Sequence, residues 1–215
     1  MAAADAGRSG RLAGLIGTLL VIAYPVLSHA SVLLKEPKLQ FAALLSFSAV
    51  PLVPQLLQAR WTSWALLLGL AVVLWNLTQK GAGQYALYLP PLVISAVLAA
   101  SFALSLKAGR TPLITLFARI VRGAELPEDL LRYTRKLTLF WALLVGALFA
   151  LTLLLSFTGP LWLWSLHTNF LSYVVIAVVF VVEFFLRRIW FSHHHHLGFW
   201  QYLKRMTQIR GGQLR

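Results

Sequence analysis

Six apolar runs, each long enough to cross a bilayer, leave this chain few ways to fold. About 20 apolar residues in a helix span the hydrocarbon core, and such stretches lie at 12–34, 39–57, 61–79, 86–106, 137–157 and 163–186. Backbone groups in lipid must be satisfied within their own segment, and runs of this length do so as helices. The expected fold is all-α: a polytopic transmembrane helical bundle of about six spans, with amphipathic interfacial helices on the cytoplasmic side. Charged residues make up 12% of the 215, about half the share in a soluble domain. The spans leave no room for a separate soluble domain, so residues 1–215 read as a single integral membrane domain. Pro51 and Pro54 interrupt the second run and should kink it.

The chain carries 19 Lys and Arg against 6 Asp and Glu, a formal charge of +13. Basic loops stay on the cytoplasmic side. Six spans place Arg8, Arg11, Arg60, the seven basic residues of Lys107–Lys136 and the six from Arg187 onward on one side. They leave only Lys35, Lys38 and Lys80 on the other. This asymmetry predicts cytoplasmic N- and C-termini, a cytoplasmic segment at 107–136 and a cytoplasmic tail at 187–215. Trp61, Trp64, Trp141 and Trp190 should mark the inner interface, and Trp75, Tyr85, Tyr88, Trp162 and Trp164 the outer one. The start of the chain also resembles a signal peptide, with Arg8 and Arg11, an apolar run, Pro25 and Ser28-His29-Ala30. The run continues through Val32-Leu33-Leu34, which favours a retained helix; cleavage would leave five spans in the same orientation.

The basic segment has its own pattern. Leu113, Leu116, Phe117, Ile120 and Val121 follow helical spacing, with Arg119 and Arg122 elsewhere on the wheel, as in a helix lying on the membrane surface. Gly123-Ala124-Glu125-Leu126 should break it. Pro127, Glu128 and Asp129 then suit the positive first turn of a second helix. That helix should carry Arg132, Tyr133, Arg135 and Lys136 into the fifth span. Arg119, Arg122, Arg132, Arg135 and Lys136 thus form a candidate cytoplasmic face for anionic lipid headgroups or acidic partners. The tail repeats the device, with Phe199, Trp200, Leu203 and Met206 beside Lys204 and Arg205. Nucleic acid is not an expected partner.

Few polar residues fall at membrane depth. Glu183 is the one acid inside an expected span, four residues before Arg187 in the order that favours an ion pair. At 100° per residue, Asn169 and Ser172 share its face. Tyr24 and His29 in the first span and His167 in the sixth complete a set that either lines a polar pocket or makes interhelical hydrogen bonds. Ser95, Ala99 and Ala103 form a small-residue ridge suited to close helix packing. The run His193–His196 lacks the i, i+4 spacing of a helical metal pair, and the chain has no cysteine, so no metal or other cofactor is expected. Phosphate-cradling glycine patterns, GxSxG and HExxH are also missing from the sequence.

Several stretches resemble an uncharacterised family of small bacterial inner-membrane proteins. They are Pro112–Arg119, Arg122-Gly123 with Leu126-Pro127, Arg132–Lys136, and Asn169–Tyr173 leading to Glu183 and Arg187-Arg188. Members are often encoded beside type II fatty-acid-like enzymes that make aryl polyene lipids, and some are misnamed ketosynthases. The match covers mainly 111–205, with Tyr24-Pro25 a weaker echo. It implies a bacterial inner-membrane location and a pathway neighbourhood, and it brings no catalytic residues.

The leading expectation is a non-enzymatic accessory or scaffold in aryl polyene or related lipid biosynthesis. Its basic face would hold acyl carrier protein or soluble biosynthetic enzymes against the membrane. One alternative is a small-molecule or lipid transporter, flippase-like, with Tyr24, His29, Asn169, Ser172 and Glu183 lining its cavity. Another is a membrane-embedded acyl or glycosyl transferase using Glu183 or a histidine as base.

Overall fold

The computed structural model describes residues 2–122 and 126–190. Every regular element among them is helical. In order they are α1 (Ala2–Leu34), α2 (Pro37–Ala49), a 3-10 turn (Val50–Leu52), α3 (Val53–Leu57), α4 (Trp61–Gln79), α5 (Gly83–Ser105) and α6 (Leu113–Arg122). Next come α7 (Glu128–Thr158), α8 (Leu161–Leu166), a π-turn (His167–Leu171) and α9 (Ser172–Trp190). Six stretches are long and apolar enough to cross a membrane: Ser9–Leu34, Pro37–Leu57, Trp61–Gln79, Gly83–Ser105, Glu128–Thr158 and Leu161–Arg187. The chain is a multi-pass, all-α membrane protein.

Two of the six stretches are composite. Pro51 and Pro54 withdraw two backbone donors, and the second span passes through the 3-10 turn before resuming as α3. The sixth is α8 and α9 joined by the π-turn, whose last bond runs from the Ser172 N–H to the His167 carbonyl. The fifth is longer than its apolar run because α7 starts at Glu128 and continues unbroken. Arg132, Arg135 and Lys136 therefore stand on the same rod as that span. The expected break at 123–125, the His193–His196 run and the tail stripe of Phe199, Trp200, Leu203 and Met206 lie outside the described residues. So do the side chains of Arg122 and Arg188.

Burial is arranged as lipid requires. Leu66, Leu68, Val72 and Val73 on α4, and Val174, Val178 and Val182 on α9, are exposed, whereas Ser28, Ser31, Thr138 and Ser165 are fully buried. Lipid tails give helices no hydrophobic reason to associate, so small and hydroxyl residues face inward and make the interhelical bonds.

Three connections close in the same way. Lys35, Ala59 and Gly81 adopt left-handed backbone, with φ of 54°, 53° and 77°. The following N–H reaches back five residues in each case: Glu36 to Ser31, Arg60 to Gln55 and Ala82 to Leu77. These bonds have the Schellman pattern, which satisfies carbonyls left over at a helix end. At the start of α2, the Glu36 carboxylate accepts from the Lys38 N–H at 3.3 Å, and Pro37 occupies the first turn.

The helices group into two units. The first takes in residues up to Leu92 together with Thr152–Tyr173; the second takes in Val93–Leu151 and the chain from Val174. In the first unit Tyr24, Ala43, Leu44, Leu74, Leu87 and Trp164 form the core. Gly83 has no room for a side chain, since a Cβ there would run into Gln40 and lie 3.2 Å from the Thr78 backbone. In the second unit Phe102 of α5 stacks on Trp141 of α7, with ring centroids 6.3 Å apart.

Candidate functional site

The first unit buries a polar network between α1 and the α8–π-turn segment. Asn169 Nδ2 donates to Ser165 Oγ at 3.0 Å and to Ser28 Oγ at 3.3 Å. His29 Nδ1 shares a hydrogen bond with Ser165 Oγ at 3.0 Å, and its ring meets Phe170 edge-on at 5.1 Å. Ser31 Oγ donates to the Ser28 carbonyl at 2.7 Å. Ser28, Ser31 and Ser165 are fully buried, and Asn169 nearly so. The π-turn contributes directly: Ser172 Oγ donates to the His167 carbonyl at 2.9 Å and lies 3.3 Å from His167 Nε2. Wide turns of this kind recur at functional sites because they re-aim side chains without ending the helix.

Tyr24, expected either to line a pocket or to bond between helices, makes an interhelical bond. Its hydroxyl donates to the Leu87 carbonyl at 3.2 Å. In a regular helix that carbonyl would receive the N–H of residue 91, but Pro91 has none. Tyr24 thereby repairs the gap that Pro91 opens in α5. Beside it, Trp164 is fully buried and packs on Tyr88 at 4.6 Å, and its Nε1 has no hydrogen-bond partner among the described residues.

Glu183 belongs to another group, in the second unit. Tyr133 Oη donates to Glu183 Oε1 at 3.0 Å, and Arg187 Nε lies 3.5 Å from the same oxygen. The Glu183 and Arg187 side chains are only 11% and 17% exposed. The Arg187 guanidinium also sits 5.8 Å from the centre of the Phe184 ring. Asn169 and Glu183, expected on one face from a uniform helical step, are engaged in separate groups, one in each unit.

The basic segment is built by hydroxyl groups. Residues 113 and 114 begin α6, where N–H groups lack intrahelical acceptors. The Leu113 N–H donates to Ser105 Oγ at 3.0 Å and the Ile114 N–H to Thr138 Oγ1 at 3.3 Å. Thr115 and Thr134 share a buried hydroxyl–hydroxyl bond of 2.7 Å. Thr138 returns its own hydrogen to the Thr134 carbonyl at 2.7 Å. These bonds clamp α6 against α5 and α7. Leu113, Phe117 and Ile120 of the expected apolar face are half-buried, and Thr115 is the most deeply buried of the described side chains of α6.

Five cations were expected on this face. Arg119 and Lys136 are exposed. Arg132 is exposed and lies 3.6 Å from Glu128, one helical turn away. Arg135 donates from Nη2 to the Leu106 carbonyl at 3.2 Å and so caps the end of α5. The side chain of Arg122 lies outside the described residues. Lys107 and Arg110 add two further exposed charges.

The sequence reading missed Tyr133, Ser28, Ser165 and the threonines at 115, 134 and 138 as interacting groups. Their one signal was the placing of hydroxyls inside otherwise apolar helical spacing. Among the described residues, no group of three or more His, Asp or Glu side chains is placed to hold a metal ion. No protein family matches this chain, and no curated protein or solved structure is significantly similar to it.

Proposed function

We propose that the chain is a bacterial inner-membrane accessory or scaffold protein of aryl polyene or related lipid biosynthesis, with both termini in the cytoplasm. The clamping of α6 carries this reading. Side-chain bonds from Ser105, Thr134 and Thr138 hold a short amphipathic helix in place while Arg119, Arg132 and Lys136 remain exposed around it. A basic loop needed only for orientation has no use for such fixing. A pre-organised basic surface does, because attraction between exposed charges fades beyond about 8 Å at physiological salt and a partner must make contact. Acidic acyl carrier protein or soluble biosynthetic enzymes fit it as partners, and anionic headgroups neutralise its rim.

Deleting the gene and profiling lipids and pigment tests the reading. Loss of the polyene fraction is the expected result. A variant with Arg119, Arg132 and Lys136 all changed to Gln should reach normal membrane levels yet fail to restore that fraction. Unchanged lipids in the deletion strain would contradict the proposal. Altered ion tolerance in their place would favour a small-molecule or lipid transporter.

A further inference from the structure

His29 stands at the edge of the lipid-facing side of α1 with one ring nitrogen unmet. Its neighbours at helical spacing, Ile22, Val26 and Leu33, are exposed apolar residues, and the imidazole itself is half-buried. Nδ1 is held by Ser165, while Nε2 has no partner among the described residues. His29 lies five residues before the end of α1, about 8 Å below it. A polar nitrogen left unpaired at that depth is costly.

The network behind the ring decides what Nε2 offers. Ser165 Oγ already accepts from Asn169 Nδ2. Among the described residues, its own hydrogen has one acceptor in reach, His29 Nδ1 at 3.0 Å. Nδ1 is then the lone-pair nitrogen and Nε2 carries the proton. If the ring takes up a second proton, Nδ1–H turns to Ser165 Oγ and Nε2 is still a donor. In both states His29 presents an N–H outward, so its missing partner is an acceptor. This end of the first unit also carries exposed Lys35, Lys38 and Lys80 against the single acid Glu36, which favours a negative acceptor.

The geometry points to a binding site for the oxyanionic head, carboxylate or phosphate, of a membrane-borne amphiphile. The head meets His29 Nε2 beside Phe170, and the chain runs along Val26 and Ile22 toward the bilayer centre. Asn169 and Ser28 do not touch the ligand; they fix Ser165, which fixes the ring. The site is distinct from the basic platform of the second unit, so its failure leaves that reading standing.

Native mass spectrometry of the full chain in a neutral detergent, with palmitate, phosphatidylglycerol and hexadecanol as probes, tests the site. At least one acid should bind with one-to-one saturation and about tenfold more tightly than hexadecanol, the scale of one charge-assisted hydrogen bond. Palmitate alone would identify a free fatty acid, and phosphatidylglycerol alone a phospholipid headgroup. His29→Phe should abolish the preference for acid over alcohol. A measurement on the unaltered protein covers the case in which that variant does not fold: the His29 Nε2 resonance should move when the bound acid is added, while the His167 resonances stay in place. Equal binding of hexadecanol, an unchanged preference in folded His29→Phe, or an unmoved His29 resonance would overturn the proposal.

Discussion

Removing one oxygen from Tyr133 tests a charge-assisted contact in the second unit. In Tyr133→Phe the ring stays, and the 3.0 Å bond to Glu183 is lost. A hydrogen bond to a charged group contributes about 1.5–3 kcal/mol in soluble proteins, whereas interhelical bonds in membranes average about 0.6 and reach about 1.7. Glu183 keeps Arg187 at 3.5 Å, so the carboxylate is not stranded and the loss should be about 1–1.5 kcal/mol. Arg187→Gln should cost more, about 2–3 kcal/mol. It leaves an 11%-exposed carboxylate without its counter-charge, and that exposure keeps the cost below the range of about 3–5 kcal/mol for a fully buried pair. Reversible unfolding in mixed micelles would measure both. In a double-mutant cycle, Tyr133→Phe combined with Glu183→Gln should lose about 1 kcal/mol less than the two single losses summed. Additive losses, or a neutral Tyr133→Phe beside a costly Glu183→Gln, would refute the coupling.

The helix-end turns give an opposed pair of substitutions. Gly81→Ala should destabilise by about 1–2 kcal/mol through backbone strain alone, since open space surrounds its position. Ala59→Gly, at the same left-handed geometry, should stabilise by about 0.5–1 kcal/mol, as glycine's greater freedom in the unfolded chain offsets part of the relief. Shifts in detergent melting temperature of opposite sign check this. At the clamp, Thr138→Val should leave the Ile114 N–H without an acceptor and speed hydrogen exchange across the start of α6 by about tenfold. Unchanged protection there would show that α6 is held by other means.

Hydropathy located the spans because it reads directly the property that membranes select, and the prolines at 51 and 54 marked the helix interruption by removing donors. An i, i+4 pair such as Glu183 and Arg187 is local, so its possibility was visible in the sequence. Tyr133, 50 residues from Glu183, was not, because nothing local states which helices adjoin. The partner of Tyr24 was hidden for the same reason: it is a carbonyl freed by Pro91, a need that arises on a different helix. The π-turn at His167–Leu171, which takes Asn169 out of the regular helical step, has no hydropathy signature. Thr115 shows the limit of amphipathic patterning. It was passed over as polar, yet it is the most deeply buried of the described side chains of α6, because its partner is the Thr134 hydroxyl rather than an apolar surface.

The proposed function requires the basic platform to face the cytoplasm. The natural chain has no cysteine, so a single introduced thiol reports its own position. Arg119→Cys and Lys80→Cys, each exposed in the structure, would be treated in spheroplasts with a membrane-impermeant maleimide before and after permeabilisation. Lys80→Cys should label at once, and Arg119→Cys only once the membrane is opened. Labelling of Arg119→Cys in intact spheroplasts, with Lys80→Cys protected, would place the platform on the wrong side and contradict the proposed role.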